Sequence, residues 1–336
     1  MKSVSIVIPC RNEEKYIGRC IDSILAQDYS ADKISVYICD GKSTDQTPAI
    51  VNDYTQKHKN VNYLINEKKT TPFALNLGIN NSKGDIVIIL GAHSELYPDY
   101  VTNCVEAFNF GSNIGCTGGI IENVYENDTA EVIGKAMSSS FGVGNAHFRT
   151  GNQDGFVDTV AFGAYKREVF NKIGLFDDEL VRNQDDEFNY RLLSNGFTIY
   201  LYRKIRSKYF VRASFEKLFK QYEQYGYWKV YVNKKHKAVT TVRQVVPLFF
   251  VLFLFVGILM SVIHTVFLKM YIVGLLFYFT LSLISAYNLS SETNKIFRIM
   301  KGFFILHFSY GWGYLKGIID FFILQKKIKK DEILTR

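Results

Sequence analysis

Cysteine is scarce in this chain, and the five present, Cys10, Cys20, Cys39, Cys104 and Cys116, are odd in number and lack metal-type spacing. That leaves reduced, structural thiols as their reading. No GxGxxG follows the first apolar run, so the dinucleotide fingerprint is missing. Low-complexity sequence is negligible, which excludes a disordered linker. No cleavable signal is legible in MKSVSIVIPC, so the soluble part is expected to stay in the cytoplasm. The formal charge of +8 comes without a nucleic-acid-binding motif, and nucleic acid is not expected as a partner. Many of the basic residues instead flank apolar runs, as in Lys234-Lys235-His236-Lys237 and Lys326-Lys327-Ile328-Lys329-Lys330. There they read as topology and lipid-headgroup signals.

What is present is apolar mass: 48% of 336 residues are hydrophobic and 15% aromatic, enough for one large core or two smaller ones. Residues 245–263 and 270–289 contain no charged residue, and each is long enough to cross a bilayer. The first 240 residues read as ordinary soluble sequence. Within them, 4–9 (VSIVIP), 34–39 (ISVYIC), 61–65 (VNYLI) and 85–90 (DIVIIL) are short strand-like runs. Helical stretches such as Glu13–Ala26 and Gln46–His58 separate them. This alternation predicts an α/β domain, a parallel sheet with helices on both faces. Strand 1 opens into Pro9-Cys10-Arg11-Asn12-Glu13 and strand 2 into Asp40-Gly41-Lys42-Ser43-Thr44-Asp45, so polar residues gather at the C-terminal edge, where open sheets keep their ligands.

After residue 115 the rhythm loosens, and the chain to 213 is expected to complete one fused domain that includes the acceptor side. Residues 214–243 read as an amphipathic helix with a basic linker, lying on the membrane surface or packed on the catalytic domain. Two membrane spans are expected within 244–291, joined by a loop whose only charge is Lys269, which satisfies the positive-inside rule for a multi-pass protein with a cytoplasmic catalytic domain. The stretch Gly302–Leu324 holds His307, Lys316 and Asp320 and is interrupted by Gly311, Gly313 and Gly317. Residues 292–336 are therefore expected to be interfacial or re-entrant, with a basic tail. A chain ended after Lys237 should then be soluble or only salt-extractably bound.

Several motifs in order carry a resemblance: VSIVIPCRNEEKYIGRCIDSILAQ, DGKSTDQT, ALNLGI, GAHSELYPDYV, FGAYKREVFNKIGLFDD, NQDDEFNYRLLSNGF and QYEQYGYWK. Together, from Val4 to about Trp228, they resemble the inverting family 2 glycosyltransferases of GT-A fold, a Rossmann-like mixed sheet. The narrower resemblance is to the branch typified by succinoglycan-biosynthesis glucosyltransferases. It implies transfer of a sugar from a nucleotide-diphosphate donor, expected to be UDP-linked, to a lipid-linked saccharide at the membrane. Two spans are too few for a wide polysaccharide channel, so one sugar per encounter is expected. The rival reading is a catalytically silent subunit that binds nucleotide sugar or lipid, supported by the missing aspartate at Gly91.

Donor chemistry needs a nucleoside pocket, a countercharge for the diphosphate and a base for the incoming hydroxyl. Asp40 can accept from a uracil N3–H, while Pro9, Arg11 and Glu13 can offer backbone and side chain to the nucleoside. By resemblance Asn76 lines the donor pocket with Gly91 and Ala92, and Lys68 and Lys69 lie near the diphosphate on charge alone. Residue-by-residue matching makes Asp185 the catalytic base. Gln184 stands where the family usually has Glu, and losing that neighbouring charge should lower the pKa of Asp185. Arg191, Gln221 and Trp228 fall on the acceptor side, the last two in place of a Gln-x-x-Arg-Trp motif. Trp228 would stack on a sugar or anchor a helix at the headgroups.

The metal motif is altered. The wider family ends a strand in Asp-x-Asp, and this branch in Asp-Ala-His; here the residues are Gly91-Ala92-His93. His93 keeps the ligand position, while the first carboxylate is gone. An imidazole with diphosphate oxygens can still hold a divalent ion, Mn²⁺ in preference to Mg²⁺. The plainer alternative is a polar loop histidine with no metal.

Overall fold

The computed structural model describes residues 1–326 except 152, 212, 240 and 241. Of the basic cluster 326–330, only Lys326 falls within the described residues. In chain order, the first elements are β1 (Val4–Cys10), α1 (Ile17–Leu25), β2 (Ile34–Asp40), α2 (Thr47–Lys57), β3 (Val61–Ile65), α3 (Thr71–Asn81) and β4 (Ile86–Ile89). Then follow β5 (Ser94–Leu96), α4 (Tyr100–Ala107), β6 (Ile114–Val124), α5 (Asp128–Met137), α6 (Ser140–Val143) and α7 (His147–Thr150). Next come β7 (Gly155–Val157), β8 (Ala161–Lys166), α8 (Arg167–Ile173), α9 (Gln184–Ser194) and β9 (Thr198–Phe210). Four helices complete the described chain: α10 (Phe215–His236), α11 (Val246–Ile263), α12 (Thr265–Tyr287) and α13 (Thr293–Ile318), the last running on into a π-helical turn, Ile319–Ile323.

Two compact units result, one from Met1–Asn123 with His147–Phe210, the other from Val124–Ala146 with the described residues of 211–326. The first is built on a single mixed sheet of order β3-β2-β1-β4-β8-β6-β9-β5, with β7 against β9. Strands β1 to β4 pair in parallel, and β8 runs antiparallel to β4. The alternation of side chains along β1 explains why its apolar run is continuous. Val4, Ile6 and Ile8 join a core with Ile17, Cys20, Ile21 and Ile24 of α1 and Val101 and Cys104 of α4. Val7 joins the opposite core with Ala74, Leu75 and Ile79 of α3 and Phe188 and Leu192 of α9. Helices thus cover both faces, as the strand-helix alternation implied. All five cysteines are buried and free.

The second unit departs from the boundary at 213, because residues 124–146 pack with the C-terminal helices. Lys295 of α13 pairs with Glu131 of α5 at 2.9 Å, and the Phe141 ring meets Phe303 edge-on at 5.0 Å. Along α10, Leu218, Tyr222, Gly226, Trp228, Val230 and Val232 are buried. Their partner is α13, and the two backbones touch: a Cβ on Gly226 would stand 2.0 Å from the Tyr310 carbonyl oxygen, and one on Gly313 1.9 Å from that of Glu223. The glycines of 302–324 therefore do not interrupt a helix; they allow close packing, and α13 is unbroken from 293 to 318. In the turn that follows it, Asp320 accepts from Tyr227 at 3.0 Å and meets Lys326 at 2.7 Å.

Two helices, Arg243–Ile263 and Thr265–Tyr287, are long and apolar enough to cross a bilayer, and most of their side chains face outward. The second starts five residues before the expected 270, because the His264 ring nitrogen caps it by accepting from Val266 N at 3.1 Å. Lys269 accordingly lies inside α12, not in a loop.

Candidate active site

Register brings the strand ends together. Cys10 lies beside Asp40 and Asp40 beside Ile65, and Leu90 N donates to the Val7 carbonyl at 3.0 Å. The chain leaving β1, β2, β3 and β4 therefore emerges along one edge. Three of these exits hold a non-glycine residue in the left-handed region: Asn12 (φ 55°), Lys42 (58°) and Lys69 (60°). Such backbone costs about 1–3 kcal/mol per residue and persists only where the surroundings enforce it. Reciprocal hydrogen bonds do so here. Asn12 N donates to Ser43 Oγ at 2.8 Å, and Thr44 N to Asn12 Oδ1 at 2.8 Å. Glu13 N donates to Thr47 Oγ1 at 2.8 Å, and Gln46 N to Glu14 Oε2 at 2.9 Å.

Asp40 is buried at the centre of this edge. Its Oδ2 accepts from the Tyr63 hydroxyl at 2.6 Å, and its Oδ1 from Ser43 N at 3.1 Å and from the Ser43 hydroxyl. Burial, and then the Asp40 carboxylate, push the Tyr63 phenol well above its ordinary range, so it stays a donor. A nucleobase N–H at Asp40 would share a carboxylate that already orders the Ser43 loop. Pro9 sits within β1 opposite Cys39, and Gly41 N donates to the Cys10 carbonyl at 2.9 Å. Arg11 lays its stem over Gly41: a Cβ there would meet Arg11 Cδ at 3.3 Å and Lys69 Cα at 3.4 Å. Arg11, Gly41 and Lys69 thus converge from three strand ends.

Glu13 and His93 are juxtaposed. His93 Nδ1 lies 3.7 Å from Glu13 Oε1, with side-chain exposures of 21% and 8%, and the imidazole packs edge-on against Tyr209 at 5.2 Å. Sequence spacing gave no sign of this pair, since the carboxylate comes from the β1 exit and the imidazole from the β4 exit. Among the described residues, no cluster of three or more His, Cys, Asp or Glu side chains is arranged for a metal. The donor set is one imidazole and one carboxylate, chemistry that suits a divalent ion whose other ligands come from phosphate oxygens and water. Gly91 lies under Phe162: a Cβ there would come within 3.1 Å of the ring edge. Phe162 is itself strained at φ 48°, with its carbonyl accepting from the Tyr100 hydroxyl at 2.6 Å. The aromatic residue thus occupies the neighbourhood from which an aspartate at 91 would extend. Ala92 is buried beside them.

Asp185 is exposed in the first turn of α9, where its Oδ1 accepts from Asp186 N at 2.9 Å. The preceding Asn183 is left-handed at φ 61°. Behind it, the Tyr165 phenol is held protonated by burial, with Cys116 and then Asp185 adding to the upward push.

Two residues expected at the substrate serve the scaffold behind α9. Arg191 makes a bidentate pair with Glu187 (2.7 and 2.9 Å) and donates to the carbonyls of Ile173 and Leu175 at 2.6 and 2.8 Å. Its guanidinium is engaged in holding α9, because Glu187 is buried and needs a counter-charge. Asn76 donates to the Phe176 carbonyl at 2.8 Å and accepts from Phe176 N at 3.0 Å, so its amide brackets the same segment from α3. Trp228 is only 9% exposed, packed against Phe321 and Tyr231 in the second unit. In the structure this ring packs between helices. Gln221, also in the second unit, donates to the Tyr225 hydroxyl at 2.8 Å. Tyr63, Phe162 and Tyr209 touch Asp40, the Gly91 position and His93 in turn, and nothing in their local sequence marks them.

Comparison with known proteins bears on the family and the fold. The family model described as "Glycosyl transferase family 2" matches residues 5–174, ending before α9. A dolichyl N-acetyl-alpha-D-glucosaminyl phosphate 3-beta-D-2,3-diacetamido-2,3-dideoxy-beta-D-glucuronosyltransferase of Methanococcus voltae is 33% identical over 330 residues, covering 95% of this chain and 98% of that one. The succinoglycan biosynthesis protein ExoA of Rhizobium meliloti is 29% identical, covering 72% and 74%. Among solved structures, a mannosyltransferase of Pyrobaculum calidifontis in complex with GDP-Man and Mn²⁺ superposes with a TM-score of 0.52 at 18% identity, over 67% of this chain and 62% of that one. S. aureus TarS 1-349 in complex with UDP-GlcNAc gives 0.51 at 18% identity, over 67% and 65%. This chain thus spans less than two thirds of either solved chain, and at such identity the likeness shows the fold alone. With a family match over half its length and a relative similar almost end to end, the chain belongs to the family 2 glycosyltransferases and carries their GT-A fold.

Proposed function

We propose that the chain is a membrane-anchored, inverting glycosyltransferase that moves one sugar per encounter from a UDP-linked donor to a lipid-phosphate-linked saccharide. The observation that carries this reading is the single sheet edge that joins Asp40, Arg11, Glu13 and His93, and the family resemblance adds the exposed carboxylate of Asp185. The Methanococcus voltae relative supports the acceptor class, since its name specifies a dolichyl phosphate-linked sugar. The outward apolar faces of α11 and α12 support the anchor.

In this reading, Asp40 and the Ser43 loop hold the nucleoside, and Arg11 with the β3 exit flanks it. His93 and Glu13 would hold a divalent ion, whose chemistry there is to neutralise charge on the diphosphate. Asp185 accepts the proton of the acceptor hydroxyl as that oxygen bonds to the anomeric carbon. The bond from that carbon to the diphosphate oxygen breaks on the opposite face, and the diphosphate leaves with the electron pair. A single displacement inverts the anomeric centre.

The test is transfer of label from a panel of nucleotide sugars into a lipid-extractable polyprenyl-phosphate saccharide by membranes containing the full chain. Label should enter the lipid fraction with a donor whose anomeric configuration is inverted in the product. No transfer from any donor to any lipid-linked acceptor, or a retained configuration, would overturn the proposal.

A further inference from the structure

The short helix α7 carries polar groups that the reading above does not use. His147 Nδ1, Arg149 Nη1 and Thr150 Oγ1 are each inaccessible to solvent and have no hydrogen-bond partner among the described residues. Three such atoms within four residues are unusual, because buried polar groups are nearly always satisfied. The guanidinium matters most. Arginine does not discharge by losing its proton, so a buried, unpaired N–H edge is a standing cost unless something absent in the free protein meets it.

Its position indicates what that is. The Arg149 guanidinium lies over the Tyr209 ring at 5.7 Å, and that ring packs at 5.2 Å against His93, which faces Glu13 at 3.7 Å. Arg149 is therefore one aromatic ring away from the site assigned to the diphosphate, and all of these residues belong to the same unit. Among the described residues no carboxylate is paired with Arg149, whereas the guanidiniums of Arg19 and Arg191 meet Glu95 and Glu187 at 2.7 Å. A guanidinium fork with an open edge, a neutral hydroxyl and an imidazole nitrogen form a donor set suited to a phosphate oxyanion.

We infer that Arg149, with His147 and Thr150, forms a phosphate-binding subsite beside His93. The inference rests on the proposed transfer reaction and deepens it. Its occupant has two sources of the same chemistry: the diphosphate of the donor or the lipid phosphate of the acceptor.

The experiment compares wild type with Arg149→Met, full chain in detergent, by thermal shift and ligand titration with Mn²⁺ present. The probes are UDP, uridine and a short-chain polyprenyl monophosphate. Because Arg149→Met removes an uncompensated charge and keeps the stem's bulk, its ligand-free midpoint should equal or exceed that of wild type. The variant should bind one phosphate probe at least about tenfold more weakly, the scale of one charge-assisted hydrogen bond. Loss with UDP assigns the donor diphosphate, and loss with the prenyl phosphate the acceptor; uridine binding should not change. Unchanged affinity for both phosphate probes would overturn the inference alone, as would an equal loss for uridine or a lowered ligand-free midpoint. A wild type that binds neither UDP nor the prenyl phosphate would overturn the proposed reaction and this subsite together.

Discussion

His93 Nδ1 stands 3.7 Å from Glu13 Oε1, joining the exit of the fourth strand to the exit of the first. On the proposed reading, Glu13 supplies from another loop the carboxylate that Gly91 does not. Glu13→Gln and His93→Ala should each weaken apparent Mn²⁺ affinity by about 10- to 100-fold, the scale seen even for residues that only support a metal ligand. A Mn²⁺ titration of transfer checks this, with Mn²⁺ expected to exceed Mg²⁺. Full wild-type activity in excess EDTA would contradict the assignment.

Arg191 belongs to the scaffold on this account. Removing it strands the buried Glu187 carboxylate and frees the 173–175 turn, so Arg191→Ala should cost about 3–5 kcal/mol of stability. Arg191→Lys should recover little of that, because a single ammonium cannot replace the bidentate fork and the two carbonyl contacts. Thermal unfolding of the variants is the measurement. A direct acceptor contact would instead raise KM for the acceptor while leaving the melting midpoint unmoved.

The soluble-truncation expectation changes once α10 and α13 are seen packed together. A chain ended after Lys237 loses α13 and bares Leu218, Tyr222, Trp228, Val230 and Val232. It should aggregate or remain on membranes in high salt, because a bared helix face of this kind seeks another apolar surface. Recovery of a monodisperse soluble protein by gel filtration would show that α10 does not depend on α13.

Strands β1 to β4 were legible because their apolar runs are bounded by polar exits, and burial on both faces keeps those runs uninterrupted. The glycines at 311, 313 and 317 read as interruptions in the sequence because composition does not distinguish a break in a helix from a place where two helix backbones meet. Arg191 carried a local signal, since Glu187 lies four residues before it on the same helix face. The Glu13–His93 and Asn76–Phe176 contacts carried none, because they join segments 80 and 100 residues apart that meet only in the folded sheet.

Asp185 carries the central claim, and the direct measurement is transfer and donor binding by Asp185→Asn side by side. The amide keeps the shape of the exposed side chain but cannot take the acceptor's proton, so donor affinity should hold while turnover falls by about a hundredfold or more. Wild-type turnover in Asp185→Asn would contradict the account.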